Sequence, residues 1–133
     1  MENKIKLAEV GLKENGFQVR TFKNRDRAKE ALLGEISISE SIAFGGSMTL
    51  SDMGIYEDFK ERGNEIYWHW KADDKKNELN KAENADIYIT STNALTLDGK
   101  LINMDGTGNR VSSMFYGHKR VYIVVGRNKI CRD

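Results

Sequence analysis

The sequence predicts a three-layer α/β domain built on a mostly parallel sheet with an inserted β-hairpin. Segments with helical periodicity alternate with short apolar segments, which is the order that right-handed crossovers between parallel strands produce. The segment Val121–Val125 is continuously apolar, as is typical of a strand buried on both faces. Asp98-Gly99 lies between two apolar segments, which is a strong hairpin signal. The 133 residues suffice for a single domain, 1–133.

In the first half of the chain, helices and strands are separated by glycine or asparagine. Apolar residues at helical spacing predict helices over 5–15, 24–34 and 49–63. Asn24 is the expected N-cap of the second helix, and Thr49 or Ser51 that of the third. Alternating polarity predicts a strand over Phe17–Phe22, and a short apolar run predicts another over Ser41–Gly45.

The second half continues this alternation until the hairpin interrupts it. Strands are predicted over Ile66–Trp70, Asp86–Thr90 and Val121–Val125. A charged helix is predicted over 73–83. Asp98-Gly99 is the expected two-residue turn between Ala94–Leu97 and Lys100–Asn103. The glycine-rich loop Asp105–Arg110 then opens a short helix.

Composition excludes several classes of protein. The 21 basic and 20 acidic residues leave no basic excess of the kind that nucleic-acid binders show. The longest uncharged runs, Ser41–Ser51 and Ile87–Leu97, are too short and polar to span a membrane, and no signal segment follows Met1. We therefore expect a cytoplasmic protein without a membrane or nucleic-acid partner. The single cysteine, Cys131, excludes an internal disulfide and a cysteine-ligated zinc or iron–sulfur site within one chain.

Polar or glycine-rich loops follow the predicted strands at their carboxyl ends, where parallel sheets bind ligands. These loops are Gly45–Ser47, Thr90–Asn93, Asp105–Arg110 and Gly126–Asn128. In the first loop, Gly45 and Gly46 let a ligand approach the backbone closely, and Ser47 adds a hydroxyl donor. Amides between a strand and a helix favour an anion. The alternative is a tight turn in which the glycines only relieve strain.

In the second loop, Thr92 and Asn93 are candidate ligand-binding residues because they begin the rim of the hairpin. Ser91 is better explained by local hydrogen bonding of the turn. In the third loop, the candidates are Gly106, Gly108, Asn109 and Arg110. An arginine in the first turn of a helix opposes the helix dipole, and a bound carboxylate or phosphate would explain it. The alternatives are a solvated side chain or a pair with Asp105.

The same loop does not fit a dinucleotide site, because Val111 occupies the position of the third glycine. We expect no cofactor. Trp68 and Trp70 share one face of their predicted strand, as core or interface residues. A catalytic role for His69 or His118 is the less favoured interpretation.

Four segments together resemble the LUD domain, the family of the lactate-utilisation proteins B and C. They are Gly45–Leu50, Ala85–Ala94, Asp98–Asn103 and Asp105–Val111. The resemblance implies the Rossmann-like fold of the sugar-phosphate isomerase, CoA-transferase and formyltetrahydrofolate cyclo-ligase group, with glycine-rich loops around a pocket. In characterised relatives the domain belongs to an assembly that oxidises lactate to pyruvate, in which other subunits or regions carry iron–sulfur clusters.

On these grounds we expect a protein that binds a small anionic metabolite, a carboxylate or a phosphate ester, and is linked to lactate utilisation. One alternative is an isomerase-type enzyme with Asp105 as its general base. Another is a non-catalytic subunit of a lactate-oxidising assembly. Covalent CoA transfer is not expected, because none of the first three loops contains a glutamate to act as nucleophile.

Similar longer proteins continue past the final strand with another helix. We therefore expect one face of the sheet near Val121–Val125 to lack helical cover. A second copy of the chain or an iron–sulfur partner subunit is the expected cover.

Overall fold

Helices and strands alternate through the residues that the structure, a computed structural model, describes, namely 2–103, 113–114 and 117–132. The helices are α1 (Glu2–Glu14), α2 (Arg25–Glu35), α3 (Met48–Met53), α4 (Ile55–Arg62) and α5 (Lys75–Ala82). The strands are β1 (Ile42–Phe44), β2 (Ile66–Tyr67), β3 (Ile87–Thr90), β4 (Ala94–Thr96), β5 (Leu101–Ile102), β6 (Arg120–Ile123) and β7 (Ile130–Cys131).

The main sheet has the strand order β2-β1-β3-β6, and all of its neighbouring strands are parallel. Ile42 of β1 lies between Ile66 of β2 and Ile87 of β3, which fixes the register of the three strands. A second, smaller sheet has the order β5-β4-β7, in which β4 is antiparallel to β5 and parallel to β7. The predicted α/β class with a mostly parallel sheet is confirmed.

Alternating side chains of the main sheet enter two separate cores, which makes the fold three-layered. On one face, Phe44 and Ile89 pack with residues of α2, α3 and α4. On the other face, Ala43 and Tyr88 pack with Ala82 of α5. Strands β1 and β3 are buried on both faces, as their uninterrupted apolar sequence requires.

The predicted hairpin is present, but its turn has three residues. Thr96 faces Lys100, because the Thr96 amide donates to the Lys100 carbonyl at 2.9 Å. Leu97, Asp98 and Gly99 therefore form the turn, and Gly99 has a φ of +84°. A three-residue turn places its third residue in the left-handed region, which glycine adopts without strain.

Several predicted elements differ from the structure. Residues 17–22 form no strand, because none of the described strands pairs with this segment, and Phe17 and Phe22 are exposed. After β2 the chain turns into a 3₁₀ helix at His69–Lys71. Strand β6 is half-buried along its length, since it is the last strand of the described sheet.

The predicted cap of the third helix is also wrong. Ser47 is the N-cap of α3, and its hydroxyl accepts a hydrogen bond from the Leu50 amide at 3.2 Å. Gly54, with a φ of +68°, then divides the predicted helix into α3 and α4. The Asn24 cap of α2 is confirmed by a 3.0 Å hydrogen bond from the Arg27 amide.

Polar side chains join the strands of the main sheet at their amino ends. The Glu40 carboxylate accepts two hydrogen bonds from the Arg120 guanidinium, at 2.6 and 2.7 Å, and one from the Ser37 amide at 2.9 Å. The Ser41 amide donates to the Asp86 carboxylate at 3.0 Å, and the Asp86 amide donates to the Ser41 hydroxyl at 2.9 Å. These contacts connect the starts of β1, β3 and β6.

Asn64, two residues before β2, extends these contacts to the helices. Its carboxamide donates to the carbonyls of Ser37 and Glu40 at 2.9 Å each, and it accepts from Arg62 Nε at 2.9 Å. The Arg62 guanidinium also donates to two carbonyls at the end of α2. We call this set the amino-edge network: Ser37, Glu40, Ser41, Arg62, Asn64, Asp86 and Arg120.

Glu40 makes stability depend on pH. The Ser37 amide and the Arg120 guanidinium hold the pKa of Glu40 below its ordinary value of 4.5, against the opposing effect of burial. Because the pKa of Glu40 is lower in the folded protein than in the unfolded chain, its negative charge stabilises the fold at pH values above the ordinary pKa. This stabilisation is lost as the pH falls through the pKa of the folded state. We expect Glu40→Gln to lower the free energy of unfolding by about 1–2 kcal/mol at neutral pH, since the partner Arg120 is partly exposed.

The measurement is urea unfolding of both proteins from neutral pH into the acid range. The difference between them should shrink as the pH falls below 4.5 and vanish once the pH has passed the lower pKa of Glu40 in the folded protein, where that carboxyl becomes neutral. A difference that is constant with pH would contradict this role of the Glu40 charge.

Candidate functional site

The strand order of the main sheet reverses between β1 and β3. The chain passes from β1 outward to β2 through α3 and α4 on one face, and returns through α5 on the other face to β3, on the opposite side of β1. Open parallel sheets bind ligands at such a reversal, in the crevice beyond the carboxyl ends of the strands. The two loops that border this point are 45–47, after β1, and 91–93, after β3.

Both loops line one open cleft of about 2110 Å³. Gly46, Ser47 and Asn93 contribute to it at the strand reversal. From there the cleft continues along β6 to the loop 126–128 and to the segment between α1 and α2. The structure thus brings together three of the four loops that the sequence singled out.

The two glycines of the first loop have different surroundings. The Gly45 amide donates to the Ile89 carbonyl at 2.9 Å, so it continues the β1–β3 ladder and is not directed at the cleft. A Cβ atom on Gly45 would lie 2.6 Å from the Tyr88 hydroxyl, which leaves room for glycine alone. A Cβ atom on Gly46 would lie 2.7 Å from Trp70 Nε1. The Trp70 indole therefore lies against Gly46, and of the two glycines it is Gly46 that lines the cleft.

Ser47 is buried and retains one donor. Its hydroxyl oxygen accepts from the Leu50 amide, so the hydroxyl proton is still available for a second partner. The first-turn amides of α3 have no acceptor within the helix. The hydrogen bond by which Ser47 caps α3 thus also orients its hydroxyl group.

The second loop separates into a buried part and an exposed part. Thr92 is only 1% exposed, and its hydroxyl lies 3.0 Å from the Ile102 carbonyl and 2.9 Å from Asn103 Oδ1. These contacts hold the start of the hairpin, so the Thr92 side chain acts within the fold. Ser91 is buried as well, whereas Asn93 is exposed and lines the cleft.

Two further residues line the cleft that sequence reasoning did not select. Arg127 follows β6 at the same sheet edge and is exposed. Its signal in the sequence was a cation in the fourth polar loop. Trp70 is 42% exposed, whereas Trp68 is 1% exposed and belongs to the core, so the two tryptophans do not form one core or interface face.

Comparison with known proteins now adds to this geometry. The family model described as the LUD domain matches residues 5–133. The chain belongs to the LUD domain family. No curated protein and no solved structure matched the chain. The family suggested by the four sequence segments is thereby confirmed, and its Rossmann-like three-layer architecture is the one described above.

Part of the predicted site in this LUD domain lies outside the described residues. It comprises Asp105, Gly106, Gly108, Asn109 and Arg110. Their assigned roles stay predictions.

His118 lies away from the cleft. Its Nδ1 is 2.7 Å from the Ala85 carbonyl oxygen, so Nδ1 carries the proton and donates, and its ring stacks on Tyr88 with centroids 5.1 Å apart. These contacts are structural. Within 2–103, 113–114 and 117–132, no group of three or more metal-ligating side chains comes together. No helix in that part of the LUD domain is long and apolar enough to cross a membrane.

Proposed function

We propose that this LUD domain binds a small anionic metabolite, a carboxylate or a phosphate ester, in the cleft at the carboxyl edge of its main sheet. The family links this activity to lactate utilisation. The observation that carries the proposal is the position of the loops 45–47 and 91–93, which line one cleft at the reversal of strand order.

The proposed donors are the Gly46 amide, the Ser47 hydroxyl and the Asn93 carboxamide. Gly46 and Ser47 are rigidly placed, because Gly45 is held in the sheet ladder and Ser47 caps α3. Arg110, from the predicted third loop, would neutralise the ligand together with Arg127. Gly45 and Thr92 would support the site from within the fold.

The charges of the cleft support an anion over a cation. Among the described residues, six basic and four acidic side chains line it. Arg20, Arg25 and Arg120 are paired with carboxylates. The other three basic side chains have no ion-pair partner among the described residues; they are Lys23, Arg127 and Lys129. Asp26 is the acidic side chain of the described cleft without an ion pair, so the remaining charge is three positive against one negative, and it would attract an anion before contact.

The other expectations from the sequence stay predictions. The isomerase alternative depends on Asp105, which lies outside the described residues. The subunit alternative depends on a second copy or an iron–sulfur partner over the half-buried β6.

Calorimetric titration with inorganic phosphate and with lactate tests the proposed site. We expect at least one of these anions to bind the wild-type protein, and Arg127→Gln to weaken that binding about 10-fold, the low end for the loss of one charged hydrogen bond, because Arg127 is exposed. The matched control is Lys81→Gln, which removes the same charge from the exposed end of α5, outside the cleft. It should leave the affinity unchanged.

The outcomes test the role of Arg127 separately from the existence of the anion site. Binding that is unaffected by Arg127→Gln would remove Arg127 from the site but leave the site itself. If Arg110→Ala also has no effect, the guanidinium contribution is wrong. Absence of binding for every anion tried would overturn the proposed function.

A further inference from the structure

Trp70 lies at the rim of the cleft with much of its indole ring in solvent. The residue is 42% exposed and lines the cleft next to Gly46. Exposing an aromatic ring of this size forgoes a large part of its burial free energy. Trp68, two residues earlier, is almost fully buried. Packing against the core therefore accounts for the buried part of Trp70 but not for the part of the side chain that is left in solvent.

An aromatic stack on its core-facing side fixes the orientation of the Trp70 ring. Its plane is 15° from that of Trp68, with ring centroids 5.5 Å apart. Trp68 in turn contacts Phe44 and Tyr56, with centroids 5.3 and 5.5 Å away. Trp68 thus covers one face of the Trp70 indole, and Gly46 lies against its Nε1–Cζ2 edge, so the exposed area lies away from both, on the side opposite Trp68.

The edge of the indole ring lies directly over the glycine loop. A Cβ atom on Gly46 would come within 2.7 Å of Trp70 Nε1 and 2.9 Å of Cε2. An anion held by Gly46 and Ser47 would therefore lie beside the indole. A planar group attached to that anion would reach the open face of the ring.

We propose that Trp70 is a stacking platform and that the ligand is an anion with an unsaturated planar ring next to its charged group. The carboxylate or phosphate would occupy the Gly46–Ser47 loop, and its ring would lie on the open face of Trp70. This inference rests on the proposed function, since it names the ligand class of the same cleft. Offset-stacked aromatic pairs stabilise a contact beyond the area that they bury.

The test compares benzoate with cyclohexanecarboxylate by calorimetry. Both carry one carboxylate on a six-membered ring, but only benzoate is planar. We expect wild-type protein to bind benzoate about 2- to 10-fold more tightly. Trp70→Leu, which keeps an apolar side chain, should abolish this preference, and Trp70→Phe, which keeps an aromatic face, should retain part of it.

A second measurement uses the wild-type protein alone. The chain has two tryptophans, so its indole N–H groups give two resonances in a nitrogen–proton correlation spectrum. Benzoate should shift the Trp70 resonance through its ring current and leave the Trp68 resonance nearly unchanged. Cyclohexanecarboxylate should shift the Trp70 resonance much less. This comparison decides the matter even if Trp70→Leu fails to fold.

Equal affinity for the two acids, or a benzoate preference that persists in Trp70→Leu, would overturn the platform. A Trp70 resonance that responds identically to both acids would do the same. In those cases binding of either acid still supports the anion site. If neither acid, phosphate nor lactate binds, the proposed function and the platform both fail.

Discussion

Asn64→Ala should lower the free energy of unfolding by about 2–4 kcal/mol, because it removes a buried carboxamide together with its three hydrogen bonds. The Asn64 side chain is 6% exposed and makes three hydrogen bonds of 2.9 Å. Its removal leaves the carbonyls of Ser37 and Glu40 without their carboxamide donor and frees Arg62 Nε. The loop between α2 and β1 would then lose these contacts, and only the hydrogen bonds of Arg62 to the end of α2 would still join α2 to the end of α4 by side-chain hydrogen bonds among those described.

Urea unfolding of wild type and variant measures this change. The matched control is Asn80→Ala on the exposed face of α5, which should change stability by less than about 0.5 kcal/mol. A similar small effect for both variants would show that Asn64 does not hold these segments together.

Gly11→Ala is the second substitution for which we expect a large effect: it should lower the free energy of unfolding by about 1–3 kcal/mol. Gly11 of α1 lies against the hairpin turn, where a Cβ atom would meet the Asp98 carbonyl carbon at 2.5 Å and the Gly99 nitrogen at 2.7 Å. Both are backbone atoms, so α1 or the hairpin must move. Asn15, which donates to the carbonyls of Asp98 and Gly99, would be displaced with it.

Gly34→Ala provides the matched control with the opposite sign. Gly34 is also helical, but nothing lies within 4 Å of its added Cβ atom. Alanine there should stabilise the protein by about 0.5–1 kcal/mol through helix propensity. Thermal and urea unfolding of the two variants give the comparison, and a stabilised Gly11→Ala would refute the close helix–hairpin contact.

The main sheet was predictable from sequence because its central strands are buried on both faces. Ile42–Phe44 and Ile87–Thr90 are almost entirely apolar, so their pattern is unambiguous. Phe17–Phe22 shows the limit of such patterns: it alternates like a strand, but a strand also needs a neighbour, which local sequence does not specify. The turn length of the hairpin likewise depended on the pairing of Thr96 with Lys100.

The candidate site was predictable in outline for a topological reason. Parallel strands bring their carboxyl ends to one edge, so the loops 45–47 and 91–93 had to be neighbours. The roles of single residues were not predictable. Gly45 uses its amide in the ladder and Thr92 uses its hydroxyl in the hairpin, and both contacts depend on register. Trp70 was misassigned because a 3₁₀ turn follows β2.

The amino-edge network and the two loops of the strand reversal occupy opposite rims of one sheet. Residues such as Glu40 and Asp86 join the strands at one rim, while Gly46 and Asn93 lie at the other. Some of the contacts that keep this polypeptide folded are thereby separated from those that would select its metabolite. An exposed side chain such as Arg127 is then expected to tolerate change, in evolution or in the laboratory, without loss of folding. One scaffold could in this way acquire new chemical preferences.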